Sequence, residues 1–349
     1  MTVDFLIIGQ GLAGSLLAWE LLQRGCKVLI VDNNQENASQ IAAGLINPVT
    51  GMRLVKASEI DTLLPVATRC YAELTEYFQQ PFYIEKPMLR ILRSQNEASY
   101  LKQRLADRNY QDYLTAIEPS GSFLSSFGLV QQKHTGYLLT QPLLTCLKSF
   151  FIAKNCYRTA VIDYADIKLG TMQNWLNITA KQIVFCEGHQ ATQNPWFSWL
   201  PFKPVKGEIL TLSHPTTLPE NILNNGHWLI PTAEQQIRVG ATFDRDNLNT
   251  LPTEQGKNEL LAAARTLTSE TSIDVIDHKA NIRPCTADRK PFIGRHPEYP
   301  QLIIFNGFGA KGSLQIPWYS QQLAEHLFAS HPLPHSCDIK RHENTHYAG

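Results

Sequence analysis

The chain opens on an apolar run, Phe5-Leu6-Ile7-Ile8, which stops at Gly9; a second apolar stretch then continues to Gly25. A short continuous apolar run closed by glycine predicts a strand buried on both faces, and the longer stretch behind it predicts a helix. Lys27-Val28-Leu29-Ile30-Val31-Asp32 repeats the buried-strand pattern and ends on a carboxylate. Strand, turn, helix and strand form a βαβ unit with parallel strands.

Beyond Asp32 the pattern changes. A polar turn, Asn33 to Asn37, leads into Ser39-Gln40-Ile41-Ala42-Ala43-Gly44-Leu45-Ile46, and a helical pattern from Asp61 to Gln79 is stopped by Pro81. Phe82 to Ile84, Leu89 to Leu92 and Gly128 to Val130 read as strands, with a charged helix near Asn96 to Arg108 between them. This texture predicts a sheet-based second domain inserted into the first. Lys181 to His189 is again a buried strand ending at a glycine, which marks a return to the first domain. Lys203 to Leu212, His227 to Pro231 and Ile237 to Phe243 read as strands joined by turns. They are followed by a helix from Thr253 to Leu267, a strand Leu302 to Phe305, a loop Asn306 to Gly312 and a helix to about Phe328. The predicted architecture is α/β, with residues 1–80, 138–202 and 276–330 in one discontinuous domain and 81–137 with 203–275 in the other. Residues 331–349, polar and rich in histidine, read as a loose tail.

The first turn carries the clearest chemistry. Gly9, Gly11 and Gly14 form a GxGxxG in register with strand, helix and the terminal acid of the next strand, which is a dinucleotide-binding arrangement. Gly9 makes the tight turn, Gly11 lets the backbone approach a pyrophosphate, and Gly14 lets the helix pack on the strand. Leu12 and Ala13 begin the helix whose N-terminus faces the phosphates. Asp32, followed by Asn33, is placed to accept hydrogen bonds from ribose hydroxyls and would repel a 2′-phosphate. The motif alone leaves FAD and NAD both open. Small residues at Ala42, Ala43 and Gly44, with Leu45 behind them, let backbone crowd against a large flat ligand; a plain Ala/Gly turn is the alternative.

Composition narrows the classes of function. The 349 residues are 43% hydrophobic and 18% charged, with 31 basic and 31 acidic side chains, so no global charge draws the chain to nucleic acid or an anionic membrane. Seven scattered cysteines with no CxxC read as reduced thiols in a cytoplasm. The opening run reads as a core strand rather than a signal peptide, and no apolar stretch is long enough to span a membrane. No serine sits in a G-x-S-x-G setting, and the histidine-rich tail reads as loose, so no nucleophilic triad and no metal site are expected.

Taken in order, the glycine turn with Asp32, S-Q-I-A-A-G-L-I, I-V-F-C-E-G, P-V-K-G-E, H-W-L-I-P, I-R-V-G-A-T, I-R-P-C-T-A-D-R-K-P-F-I-G and N-G-F-G-A-K-G resemble the D-amino-acid oxidase family of FAD-dependent oxidoreductases. That family includes glycine and sarcosine oxidases and the oxidase half of a bifunctional tRNA-modifying enzyme. The resemblance, from about Val3 to Phe328, implies a Rossmann-type FAD-binding domain interleaved with an antiparallel-sheet substrate domain, with FAD held noncovalently. It assigns Arg283 to a substrate carboxylate, a role that suits a guanidinium offering two parallel charge-assisted hydrogen bonds; the alternative is an Arg-Pro turn in a surface ion pair. It brings Gly188 and the loop Gly307, Phe308, Gly309, Ala310, Lys311 and Gly312 to the cofactor, with Lys311 as a cation near the flavin pyrimidine ring and a solvated loop lysine as the alternative. It lines the substrate pocket with His227 and Trp228, although a structural histidine beside a core tryptophan fits the pattern equally. It aligns Leu314 with the oxygen-activating lysine of sarcosine oxidases, and the region of Asn281 with their flavin-attached cysteine, so Cys285 is not an expected attachment point. The implied reaction is oxidation of an amine beside a carboxylate, glycine or an N-substituted glycine. Two alternatives stay open: removal of the carboxymethyl group from carboxymethylaminomethyl-uridine in tRNA, and a flavin-binding protein without turnover. Oligomeric state is not legible.

Overall fold

The computed structural model describes residues 1–57, 59–117, 127–213, 220–232, 236–268 and 273–346. Strand Thr2–Ile8 sits inside a sheet, flanked in parallel by Val28–Asp32 on one side and Ile178–Phe185 on the other. Tyr157–Thr159 extends the sheet beyond Val28–Asp32, while Leu302–Asn306 runs parallel to the end of Ile178–Phe185 and carries Phe292–Arg295 at its edge. Period-two alternation sorts the central strand between two cores. Phe5 and Ile7 pack under helices Leu12–Gln23, Ile60–Phe78, Thr140–Ala153 and Gly312–Ala329. Leu6 and Ile8 face Trp175, Phe185 and Phe197 on the other side, and Val3, out of that alternation, packs in the same core.

The second large sheet runs Val275–Arg283, Val205–Ser213, Gln236–Gly240, His227–Pro231, Ile222–Asn225, Met88–Ile91, Leu129–Gln132 and Leu114–Ile117. Its pairings are antiparallel except one: Ile222–Asn225 lies parallel to Met88–Ile91, where two sequence-distant insertions meet. Helix Glu254–Thr268 covers one face, burying Leu260, Ala264 and Leu267 against Leu210, Leu212, Leu229 and Val239. The opposite face forms the floor of a cleft. A small sheet of Leu45–Ile46, Gly136–Leu138 and Tyr83–Glu85 lies where the chain leaves and re-enters the first region.

Three expectations are corrected. Residues 276–283, assigned from the sequence to the nucleotide domain, belong to the second sheet: Val275–Arg283 pairs antiparallel with Val205–Leu212 along its length, and the chain returns only afterwards. Helix Thr140–Ala153 carries no label in the sequence reading, although Leu143, Leu144, Leu147 and Phe151 mark its buried face. The segment read as a loose tail is docked, because Cys337 and Ile339 are buried and Arg341 Nε reaches Asp288 Oδ2 at 2.9 Å. A β-bridge joins Ile293 to Asp338, and only the last three residues of that tail lie outside the described residues. Among the described residues no helix is long and apolar enough to cross a membrane.

The P-V-K-G-E motif has its own structural logic. Gly207 faces the cleft, so Lys206 and Glu208 point the other way. Lys206, 0% exposed, donates from Nζ to Asn249 Oδ1 at 3.0 Å and to the Leu251 carbonyl, with Glu208 Oε1 at 3.7 Å. Glu208 in turn accepts from Thr253 N at 2.9 Å and Thr253 Oγ1 at 2.8 Å. The pair ties the connection before helix Glu254–Thr268 to the sheet. Lys206→Met removes the lysine charge beside a buried carboxylate and leaves it His278 Nε2, at 2.8 Å, as its remaining ion-pair partner, and is expected to lower unfolding free energy by about 3 kcal/mol in urea titrations. A loss below about 1 kcal/mol would mean the pair behaves as a solvated one.

Candidate functional site

A cleft of about 1170 Å³ separates the parallel sheet from the floor of the second sheet. At one end lies the glycine turn. Gly9 has φ +102°, and a Cβ there would sit 2.6 Å from the Cys186 carbonyl oxygen; a Cβ on Gly14 would overlap the Gly9 carbonyl. Gly11 caps helix Leu12–Gln23, and the cleft wall includes Gly9, Gly11, Leu12 and Ala13, with Gly14 packed beneath. The Leu12 amide donates to Ser39 Oγ at 3.0 Å. Asp32 lines the cleft beside Asn33 and is held by two backbone donors, Gln10 N at 2.8 Å and Asn34 N at 2.7 Å.

The adjoining wall is Ala42, Ala43, Gly44 and Leu45. Gly44, at φ +68°, rests directly on Leu138 backbone, which leaves no room for a side chain. Gly188 lies across the cleft, and its carbonyl accepts from Asn306 Nδ2 at 2.9 Å. Beside it, Glu187 is a cleft residue that the sequence reading did not single out. Burial pushes its carboxyl up to about 7, against hydrogen bonds from Asn194 Nδ2 (2.9 Å) and Tyr164 OH (2.8 Å) that favour the ionised form.

The loop after strand Leu302–Asn306 closes the other end. Phe308, Gly309, Ala310, Lys311 and Gly312 line the cleft; Gly307 lies below them, packed against Thr286 and Phe292. Lys311 caps helix Gly312–Ala329, so that helix starts at the cleft. The surrounding protein, then the charges of Lys290 and Arg289, lower the Lys311 pKa from the ordinary lysine value. Leu314 is buried in the same wall.

Arg283 projects into the cleft from the last position of its strand. Its guanidinium lies on Gly207, where any Cβ would collide with it, and both terminal nitrogens face the Thr242 carbonyl at 3.4 Å. No described carboxylate comes within ion-pair distance of it, and burial pulls its pKa down. The surface ion pair open to an Arg-Pro turn is therefore not what forms. Trp228 lies on Gly240 in the floor. His227 does not join it: adjacent strand residues face opposite sides, and His227 Nε2 meets Glu259 Oε1 at 2.9 Å beneath the helix. Asn281 lines the cleft, whereas Cys285 lies behind it, against Gly309. Also facing the cleft are Arg90 and Arg93, which look in the sequence like ordinary charges of a strand and its following turn.

The cradle fits a dinucleotide: a helix N-terminus, glycines without room for side chains and a fixed carboxylate face one long cavity. The model of the DAO family, described as FAD dependent oxidoreductase, matches residues 4–326. The chain belongs to that family. An FAD dependent oxidoreductase is consistent with the Gly9 to Asp32 end of the cleft holding the adenosine and pyrophosphate. Among curated relatives, the tRNA 5-methylaminomethyl-2-thiouridine biosynthesis bifunctional protein MnmC of Leptospira interrogans is 22% identical over 96% of this chain and 59% of its own length. The chain thus spans little more than half of that relative. Glycine oxidase of Bacillus licheniformis is 22% identical, with 94% of this chain and 93% of the relative covered. The fold is that of glycine oxidase from Geobacillus kaustophilus, with a TM-score of 0.79 at 22% identity over 93% of this chain and 94% of that one. Among the described residues no group of three or more His, Cys, Asp or Glu side chains is disposed to hold a metal ion.

Proposed function

We propose that this oxidoreductase oxidises the amine of glycine or an N-substituted glycine, with Arg283 gripping the carboxylate. The observation that carries the reading is a guanidinium without an acidic partner among the described residues, laid on a bare glycine inside the cofactor cleft. Bound FAD supplies a two-electron acceptor for hydride from the α-carbon. The amine nitrogen's lone pair becomes the second bond of an imine, and water then cleaves that imine to a 2-oxo acid and the amine. Arg283 fixes the carboxylate and with it the α-carbon, so positioning does the work of a general base. Trp228 shapes the pocket floor. Lys311 and the N-terminus of helix Gly312–Ala329 supply positive potential at the wall where negative charge accumulates on reduction.

A second reading keeps the chemistry and changes the carrier: the N-substituted glycine is the carboxymethylaminomethyl group of a tRNA uridine. The bifunctional tRNA-modifying relatives support it. One experiment tests both readings. Anaerobic holoenzyme is mixed with glycine, sarcosine and larger N-alkyl glycines, or with carboxymethylaminomethyl-uridine tRNA, while flavin absorbance and glyoxylate are followed. Bleaching with glyoxylate release by a small glycine supports the first reading, and by the tRNA alone the second. Bleaching by neither overturns amine oxidation beside a carboxylate. Lys311→Met is expected to slow bleaching by either substrate; unchanged kinetics would remove Lys311 from the mechanism.

A further inference from the structure

Arg283 is not the only guanidinium seated on a glycine in this cleft. Arg93 lies over Gly226 in the same way, so close that a Cβ there would overlap its Nη1, and Gly226, unlike Gly207, has a positive φ, +86°. Arg90, from strand Met88–Ile91, faces the cleft beside it. One buried carboxylate serves both: Glu97 Oε1 stands 3.5 Å from Arg90 Nη2 and 3.3 Å from Arg93 Nη2. Two guanidiniums against one carboxylate leave a net positive charge and unspent N–H donors facing the cleft. Glu97 is 2% exposed and Arg90 6% exposed, so the cluster is anchored on a buried ion pair, and Arg93, its side chain 42% exposed, is its solvated member on the cleft.

The sheet fixes where the cluster lies relative to Arg283. Gly207 is on Val205–Ser213, which pairs with Gln236–Gly240, which pairs with His227–Pro231, and Gly226 immediately precedes His227. Gly207 and Gly226 are therefore two strands apart, on the order of 10 Å across the floor at about 4.8 Å per strand. Trp228, opposite Gly240 in the ladder, lies between them and presents a flat apolar surface.

From this geometry we infer that the substrate carries a second anionic group: its glycine carboxylate sits on Arg283, its N-substituent crosses Trp228, and the end of that substituent, a carboxylate or phosphate, sits on Arg93 and Arg90. The inference rests on the proposed function and specifies the substrate class of that site. Sarcosine, whose N-methyl group is neutral and short, would leave the second seat empty.

The test measures dissociation constants on the holoenzyme by calorimetry for N-(carboxybutyl)glycine and its uncharged isostere N-(carbamoylbutyl)glycine. The acid is expected to bind at least tenfold tighter, as charge-assisted pairing to arginine predicts. Arg93→Met should bring the two constants together, and Arg93→Lys should recover part of the difference. Arg93 is the variant of choice because Arg90→Met would strand buried Glu97 and could unfold the protein. Equal binding of acid and amide by the unmutated enzyme, or a preference that survives Arg93→Met, overturns the inference. Tighter acid binding without flavin bleaching sinks the proposed oxidation while leaving the second anion seat standing. Competition by unmodified tRNA separates the two sources of the anion: displacement of the acid through Arg93 points to an RNA phosphate, and no displacement points to a small acid.

Discussion

Arg283→Met is expected to raise the dissociation constant of the oxidisable glycine at least tenfold and to slow anaerobic flavin reduction, while the resting flavin spectrum stays nearly unchanged. Hydrogen bonds to charged groups contribute about 1.5–3 kcal/mol each, and each 1.4 kcal/mol is a factor of ten in binding. Among the described residues the native guanidinium makes two long hydrogen bonds, both at 3.4 Å to the Thr242 carbonyl, so little of its donor capacity is spent there. Removing it therefore takes away substrate binding rather than a structural bond. Methionine keeps a stem of similar length over Gly207, which limits collapse of the floor. Arg283→Lys provides the control: an ammonium keeps the charge and loses the two-pronged geometry, so binding should recover in part while reduction stays slow, because the α-carbon is no longer oriented. Unchanged affinity in Arg283→Met would remove the carboxylate clamp from the reading.

The first βαβ unit was legible because every level of the sequence agreed. Apolar runs, turn glycines and a terminal acid point to one arrangement, and Gly9, Gly14 and Asp32 are where that arrangement needs them. Arg283 was legible only through the motif around it, since nothing in an Arg-Pro pair says what the arginine faces. His227 went astray for a geometric reason: H-W-L-I-P reads as a strand but does not say which of two neighbouring residues faces the cleft. That choice is made by helix Glu254–Thr268, which takes the face of His227 and Leu229 and leaves Trp228 to the floor. Arg90, Arg93 and Glu97 are not marked by the sequence because an isolated charge in a sequence resembles a solvated one; the strand that pairs beside Arg90 arrives more than a hundred residues later. The same long-range pairing moves Val275–Arg283 out of the nucleotide domain. In the docked tail, three buried residues, Leu333, Cys337 and Ile339, outweigh a polar composition that periodicity alone reads as loose.

Alanine at Gly14 and at Gly11 should separate the folding role of the glycine turn from its cofactor role. At Gly14 the added methyl would overlap the Gly9 carbonyl and approach Cys186 Cβ to 3.3 Å. Backbone on one side and a packed strand end on the other cannot yield as a flexible side chain would, so overpacking should cost about 2–3 kcal/mol of apoprotein stability. FAD affinity should fall with it, because the helix N-terminus shifts away from the turn. At Gly11, where φ is −70°, alanine is conformationally acceptable and its methyl meets Ser39 Oγ at 3.3 Å and Asn37 Oδ1 at 3.9 Å. The apoprotein should lose under about 1 kcal/mol, the range for replacing a glycine N-cap by alanine. FAD affinity should nevertheless drop at least tenfold, since the methyl occupies the space through which the backbone approaches the pyrophosphate. Urea unfolding of the apoproteins and flavin fluorescence quenching on rebinding give the two readouts. If Gly11→Ala binds FAD as tightly as the unmodified chain, the pyrophosphate does not lie against this turn. If Gly14→Ala is as stable as the unmodified chain, helix and strand have room to separate, and the close packing at Gly14 is not what holds the turn in place.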